Sequence, residues 1–103
     1  MIITVQNEAQ AELLNKIHAR AEELFDAMDE MAVRHYESTD LLKQGMRAQL
    51  NWLPAVSARI VQAEAALDSL LPLAAVLGIK DGHVLDAYDA QKVWFTSKQD
   101  ATV

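Results

Sequence analysis

The sequence predicts an all-α protein: a long helical hairpin with a short C-terminal helix, completed as a bundle by self-association. Three observations carry that prediction. The first is an apolar stripe at heptad spacing in each half of the chain. One stripe runs Leu14, Ile17, Ala21, Leu24, Met28, Met31; the other runs Leu42, Met46, Gln49, Leu53, Val56, Ile60, Ala63, Leu67, Leu70, Ala74, Leu77. Steps of three and four residues line such side chains along one seam of a helix, where a second helix covers them. The second observation is that 51% of the residues are apolar, too many for a disordered chain. The third is that 103 residues without a cysteine make one small domain held by packing rather than by disulfides.

Ile2-Ile3-Thr4-Val5 is short and β-branched and reads as part of an extended arm over residues 1–6. Asn7 suits an N-cap, with Gln10 in the capping-box place three residues on. The first helix is expected over 8–37, where 30 residues at 1.5 Å each reach roughly 45 Å. Ser38-Thr39-Asp40 is expected to end it, because all three side chains compete with the backbone for hydrogen bonds.

The second arm keeps phase from Leu42 to Leu77 through Gly45, Pro54 and Pro72. A proline inside a helix costs ~3 kcal/mol, but in the first turn its missing N–H has no partner to lose. Asn51 and Ser69 each stand three residues before a proline as possible caps. The arm therefore reads either as one rod kinked at Pro54 and Pro72 or as helices restarting near 51 and 69. From Leu53 to Ile79, 18 of 27 residues are Ala, Val, Ile or Leu, and only Arg59, Glu64 and Asp68 are charged. A helix apolar on most sides is covered on most sides. A homodimer is the expected cover, with Val56, Ile60, Leu67, Leu70 and Leu77 as the self-association or partner seam. A third helix and a foreign protein are the alternatives.

Gly78 is expected to end this arm and Asp81-Gly82 to turn the chain. Val84, Tyr88, Gln91 and Phe95 then share a helical face, which predicts a short helix over 83–95. Val93-Trp94-Phe95-Thr96 is also strand-like and suited to pair with Ile2 to Val5. The tail 97–103 is expected to fray.

The net charge is −6 and unevenly placed: residues 1–40 hold nine acids and three bases. Five carboxylates, Glu22, Glu23, Asp26, Asp29 and Glu30, follow one another with no base between them. Phosphate binding needs clustered Lys and Arg, so direct nucleic-acid or anionic-lipid binding is not expected, and a protein partner selected by charge is basic. The uncharged run Ser69 to Ile79 is 11 residues, against the ~20 that a membrane span needs. Residues 1–5 lack the basic lead of a signal peptide. A soluble, cytoplasmic protein is the expectation.

Catalytic signatures are sparse. Gly45, Gly78 and Gly82 form no phosphate-binding fingerprint, and no G-x-S-x-G occurs. The carboxylates fall on a helix face turned to water, without a cleft to split their pKa values. His18 and Glu22 share a helix face, but no Glu-x-x-His stands on a second helix to complete a metal site. His35 extends the first stripe, and Met28 and Met31 read as gap fillers in a core. Trp52 and Trp94 suit either a core or an interface. No catalytic residue, metal or cofactor is expected.

Leu73 to Val84 resembles the helix-turn-helix of repressor-type DNA-binding domains, with Ala74, Gly78 and Val84 at the small, glycine and β-branched positions of that motif. The resemblance implies a tight angle between two helices, and a DNA-binding regulator that would use residues 73–92. The following segment departs from the pattern by carrying Asp86 and Asp89 with only Lys92. In length, hairpin form and central Trp52 the chain is also similar to the helical-hairpin proteins exported by type VII secretion. It departs from them in having Leu53-Pro54 after the tryptophan, and Lys92 where an acid should follow Tyr88.

The expected function is that of a non-catalytic acidic interaction protein, an inhibitor, adaptor or regulator docking a basic protein, with nucleic-acid-binding proteins among the candidates. Glu22, Glu23, Asp26, Asp29 and Glu30 form the binding face, as a mimic of nucleic-acid phosphates. The alternatives are the helix-turn-helix regulator and a structural subunit of a larger particle.

Overall fold

The computed structural model describes residues 1–89 and 92–97. It consists of strand β1 (Ile2–Val5), helix α1 (Glu8–Lys43), helix α2 (Leu53–Val76), helix α3 (Asp81–Tyr88) and strand β2 (Trp94–Ser97). Helices α1 and α2 form the expected hairpin. The two strands pair in parallel, from Ile2 opposite Trp94 to Val5 opposite Ser97; the strand-like alternative for 93–96 thus holds, and the small sheet is an addition to the all-α fold class.

Each helix ends for a local reason. The Asn7 side chain accepts the Gln10 backbone N–H at 2.9 Å, capping α1. After α1, Gly45 adopts φ +74°, with Gly45 N–H on the Leu42 carbonyl and Met46 N–H on that of Leu41. After α2, Gly78 adopts φ +68°, with Gly78 N–H on Ala75 and Ile79 N–H on Ala74. Both are Schellman endings, in which a left-handed residue satisfies the last orphan carbonyls. Ile79 and Ala74 are buried in the same core, so the second ending also carries its apolar contact.

Several boundaries differ from expectation. Helix α1 continues six residues past Glu37, through Ser38, Thr39 and Asp40. Ser38 follows Leu24 and Met31 at seven-residue steps and is buried, so hairpin packing outweighs its weak helix preference. Of the second stripe, Leu42 belongs to α1, while Met46 and Gln49 lie in the connector 44–52. Their phase match with α2 is incidental, because the Gly45 turn intervenes. Pro54 is the second residue of α2, where its missing N–H costs nothing, and Pro72 lies inside the helix. The residue at the N-cap position of α2 is Trp52, not Asn51. The helix expected over 83–95 is two elements, α3 and β2, and Gln91 lies outside the described residues, as does the tail from residue 98.

The molecule measures 69 × 24 × 20 Å, with a radius of gyration of 18.5 Å against the ~13 Å of a compact chain of this length. Its core is confined to one end. Leu14 and Ile17 are fully buried there, among Leu24 of α1, Leu67 and Ala74 of α2, Ala87 of α3, and Val5 and Phe95 of the strands. Beyond this base the hairpin is a bare two-helix arm: over residues 28–62 only Ser38 and Val56 are buried. His35, expected on the seam, is exposed, and Met28 is 47% exposed.

Candidate interaction site

Polar side chains of α1 hold the base to its small elements. The Gln10 side chain accepts from the Gln6 N–H at 3.1 Å and donates to the Leu77 carbonyl at 2.9 Å, tying the start of α1 to the end of α2. His18 is buried, with Nδ1 against the Ala87 carbonyl at 3.1 Å and Nε2 facing Glu22 at 3.3 Å. The N-terminal ammonium donates to the Lys92 carbonyl at 3.0 Å, which brings residues 1 and 92 together.

Three of the five carboxylates predicted as a binding face have partners within the chain. Glu22 meets His18, Glu23 meets Arg20 at 3.3 Å, and Glu30 meets Arg59 across the hairpin. Among the described residues, Asp26 and Asp29 have no ion-pair partner. Glu23 and Asp26 border a cleft that also contains Arg20 and Arg59. The five acids share one outward face of α1, but three of them are engaged within the chain, and they do not form one free row.

The predicted seam on α2 is used inside the chain. Val56 and Leu67 are buried, Ile60 and Leu70 pack half-buried on the core, and Leu77 is 37% exposed beside the Gly78 turn. What α2 leaves uncovered is the opposite face, where Ala58, Val61, Ala65 and Val76 are exposed.

An open groove of about 370 Å³ runs between α1 and α2 where α3 ends. Leu24 and Met28 from α1 and Leu67 and Leu71 from α2 give it an apolar lining. Tyr88, the last residue of α3, sets its ring edge-on to Phe25 at 5.8 Å between centroids. Glu64 and Asp68 stand on the α2 side, and among the described residues neither has a cationic partner. Asp29 lies one helical turn beyond Phe25, on the same face of α1. Sequence reasoning missed this groove, because Glu64 and Asp68 stood out only as exceptions in an apolar arm. Their four-residue spacing, beside Leu67 and Leu71, was the available signal.

The α2–α3 connection places Ala74 and Gly78 at a tight turn, with Val84 half-buried against the core. The exposed residues of and just after α3 include Asp81, Leu85, Asp86 and Asp89, a charge opposite in sign to that which attracts phosphates. Among the described residues no three His, Asp or Glu side chains converge as metal ligands, and no helix is long and apolar enough to cross a membrane. Comparison with protein-family models, with curated proteins and with solved structures gives no match.

Proposed function

We propose that the chain is a non-catalytic interaction protein, acting in the cytoplasm as an inhibitor, adaptor or regulator, that docks a basic amphipathic segment of a protein in the α1–α2 groove. The observation that supports this reading is the pairing of an apolar lining with Glu64 and Asp68, which lack a cation among the described residues. An apolar floor rewards burial of a partner's side chains, and uncompensated carboxylates beside it favour a partner that brings Lys or Arg. Asp29 extends the same field from α1, whereas Glu23 and Glu30 contribute less because Arg20 and Arg59 already pair with them, and Asp26 borders the cleft that contains those two arginines.

A fluorescein-labelled amphipathic Leu/Lys helical peptide is a direct probe. Its binding to the protein, followed by anisotropy, is expected to weaken with salt and to fall at least tenfold in the Glu64→Lys, Asp68→Lys double variant. Equal binding by that variant would remove the groove from the reading. The helix-turn-helix alternative draws on the Ala74, Gly78 and Val84 turn. It predicts a mobility shift of duplex DNA at low salt, which the acidic outward side of α3 opposes.

A further inference from the structure

We infer that the segment occupying this groove is the hairpin tip of a second copy of the chain, so that the protein forms a reciprocal antiparallel dimer. The inference rests on the groove being a docking site for a basic apolar segment, and it names the source of that segment. The tip, residues 41–52, carries Lys43 and Arg47 and no acid. Leu42, Met46 and Leu50 are exposed on it, at 62%, 53% and 54%. The groove presents the complement: Glu64, Asp68 and nearby Asp29 around an apolar floor.

The charge layout favours the antiparallel arrangement. The arm, residues 28–62, holds four acids (Asp29, Glu30, Glu37, Asp40) and four bases (Arg34, Lys43, Arg47, Arg59). The net charge of −6 therefore lies wholly outside it. Two neutral arms approach without repulsion, and pointing them in opposite directions puts the two acidic bases at opposite ends. A parallel pairing would set those bases side by side.

Geometry permits both contacts at once. Met28 and Lys43 are separated by 15 residues of α1, about 22 Å along its axis. A two-fold axis midway, close to Tyr36, carries each tip to the other groove together, as an isologous interface requires. Tyr36 follows Met28 and Ala32 at four-residue steps on the same side of α1 and is 74% exposed. An overlap of this length and of the width of the hairpin covers roughly 500 Å² per chain, or about 1,000 Å² in total. That is the lower end for a specific interface, the size class of weak and reversible association.

Light scattering and sedimentation between 1 and 100 µM test the inference. The mass is expected to rise with concentration from 11.4 kDa toward twice that value. Glu64→Lys with Asp68→Lys in one variant, and Lys43→Glu with Arg47→Glu in another, should each remain monomeric. An equimolar mixture of the two should dimerise, because both tip–groove contacts then join opposite charges. Met46→Ser with Leu50→Ser, confined to the exposed connector, should also stay monomeric with unchanged helical circular dichroism. A wild-type monomer throughout the range, charge variants that still dimerise, or a mixture that does not, each overturns it. If the wild type is monomeric yet binds the Leu/Lys peptide through Glu64 and Asp68, self-docking falls and the docking groove stands. If it neither dimerises nor binds the peptide, both fall.

Discussion

The side-chain amide of Asn15 completes a two-point hydrogen bond with the backbone of Phe95. Its Nδ2 donates to the Phe95 carbonyl at 2.8 Å, and its Oδ1 accepts the Phe95 N–H at 2.9 Å. A residue of α1 thus pairs with β2 as a neighbouring strand would, 80 positions away in sequence. The contact pins the face of the sheet that buries Phe95 and Val5 onto the helix. Asn15→Ala removes both bonds and leaves two part-buried backbone groups without these partners. Each is worth about 1 kcal/mol, so a loss of about 2 kcal/mol is expected in urea unfolding.

His18 acts on α3 in the same manner. The Ala87 carbonyl belongs to the last turn of that helix, where no intrahelical N–H remains to satisfy it. His18 Nδ1 supplies the donor at 3.1 Å. His18→Leu keeps an apolar body in the site but strands the carbonyl. It is expected to cost about 1–3 kcal/mol and to speed amide exchange in α3 more than in the base segments of α1 and α2.

These two side chains mark where the sequence stops being readable. The hairpin was legible because heptad stripes and C′ glycines are local signals, and Asn7 and Gly78 act as their types suggest. The end of α1 was not, because Ser38 invites a cap by propensity and is kept helical by burial on the seam. Four-residue strands that pair between residues 2–5 and 94–97 leave only a faint β-branched trace. Asn15 and His18 look like ordinary polar positions on a helix until α3 and β2 are laid against them. The groove had the same obscurity, since its two sides come from helices whose carboxylates were counted separately.

The contrast between base and arm predicts a gradient of stability along the hairpin. Ile17 is fully buried, so Ile17→Ala should cost about 2–5 kcal/mol. Val33, on the same helix but in the arm, is 57% exposed, and Val33→Ala should fall within about 0.5 kcal/mol of wild type. At protein concentrations low enough to keep the chain monomeric, hydrogen exchange should show α1 amides beyond Met28 exchanging well before those around Leu14 and Ile17. Uniform protection along α1 would contradict the confinement of the core to one end.

Gly78 and Gly82 should respond to alanine in opposite directions. At both positions an added Cβ meets nothing within 4 Å, so neither substitution is decided by a clash. Gly78 holds φ +68° at the close of the Schellman turn, a conformation that L-residues with a Cβ resist. Gly78→Ala is therefore expected to destabilise by about 1 kcal/mol, with Gly78→Asn closer to wild type. Gly82 lies within the first turn of α3, where its freedom only enlarges the entropy of the unfolded chain. Gly82→Ala should stabilise by about 0.5–1 kcal/mol. Thermal unfolding of the two variants under one set of conditions separates the backbone effect from packing. Equal shifts of the same sign would show that the turn after α2 does not carry the left-handed residue.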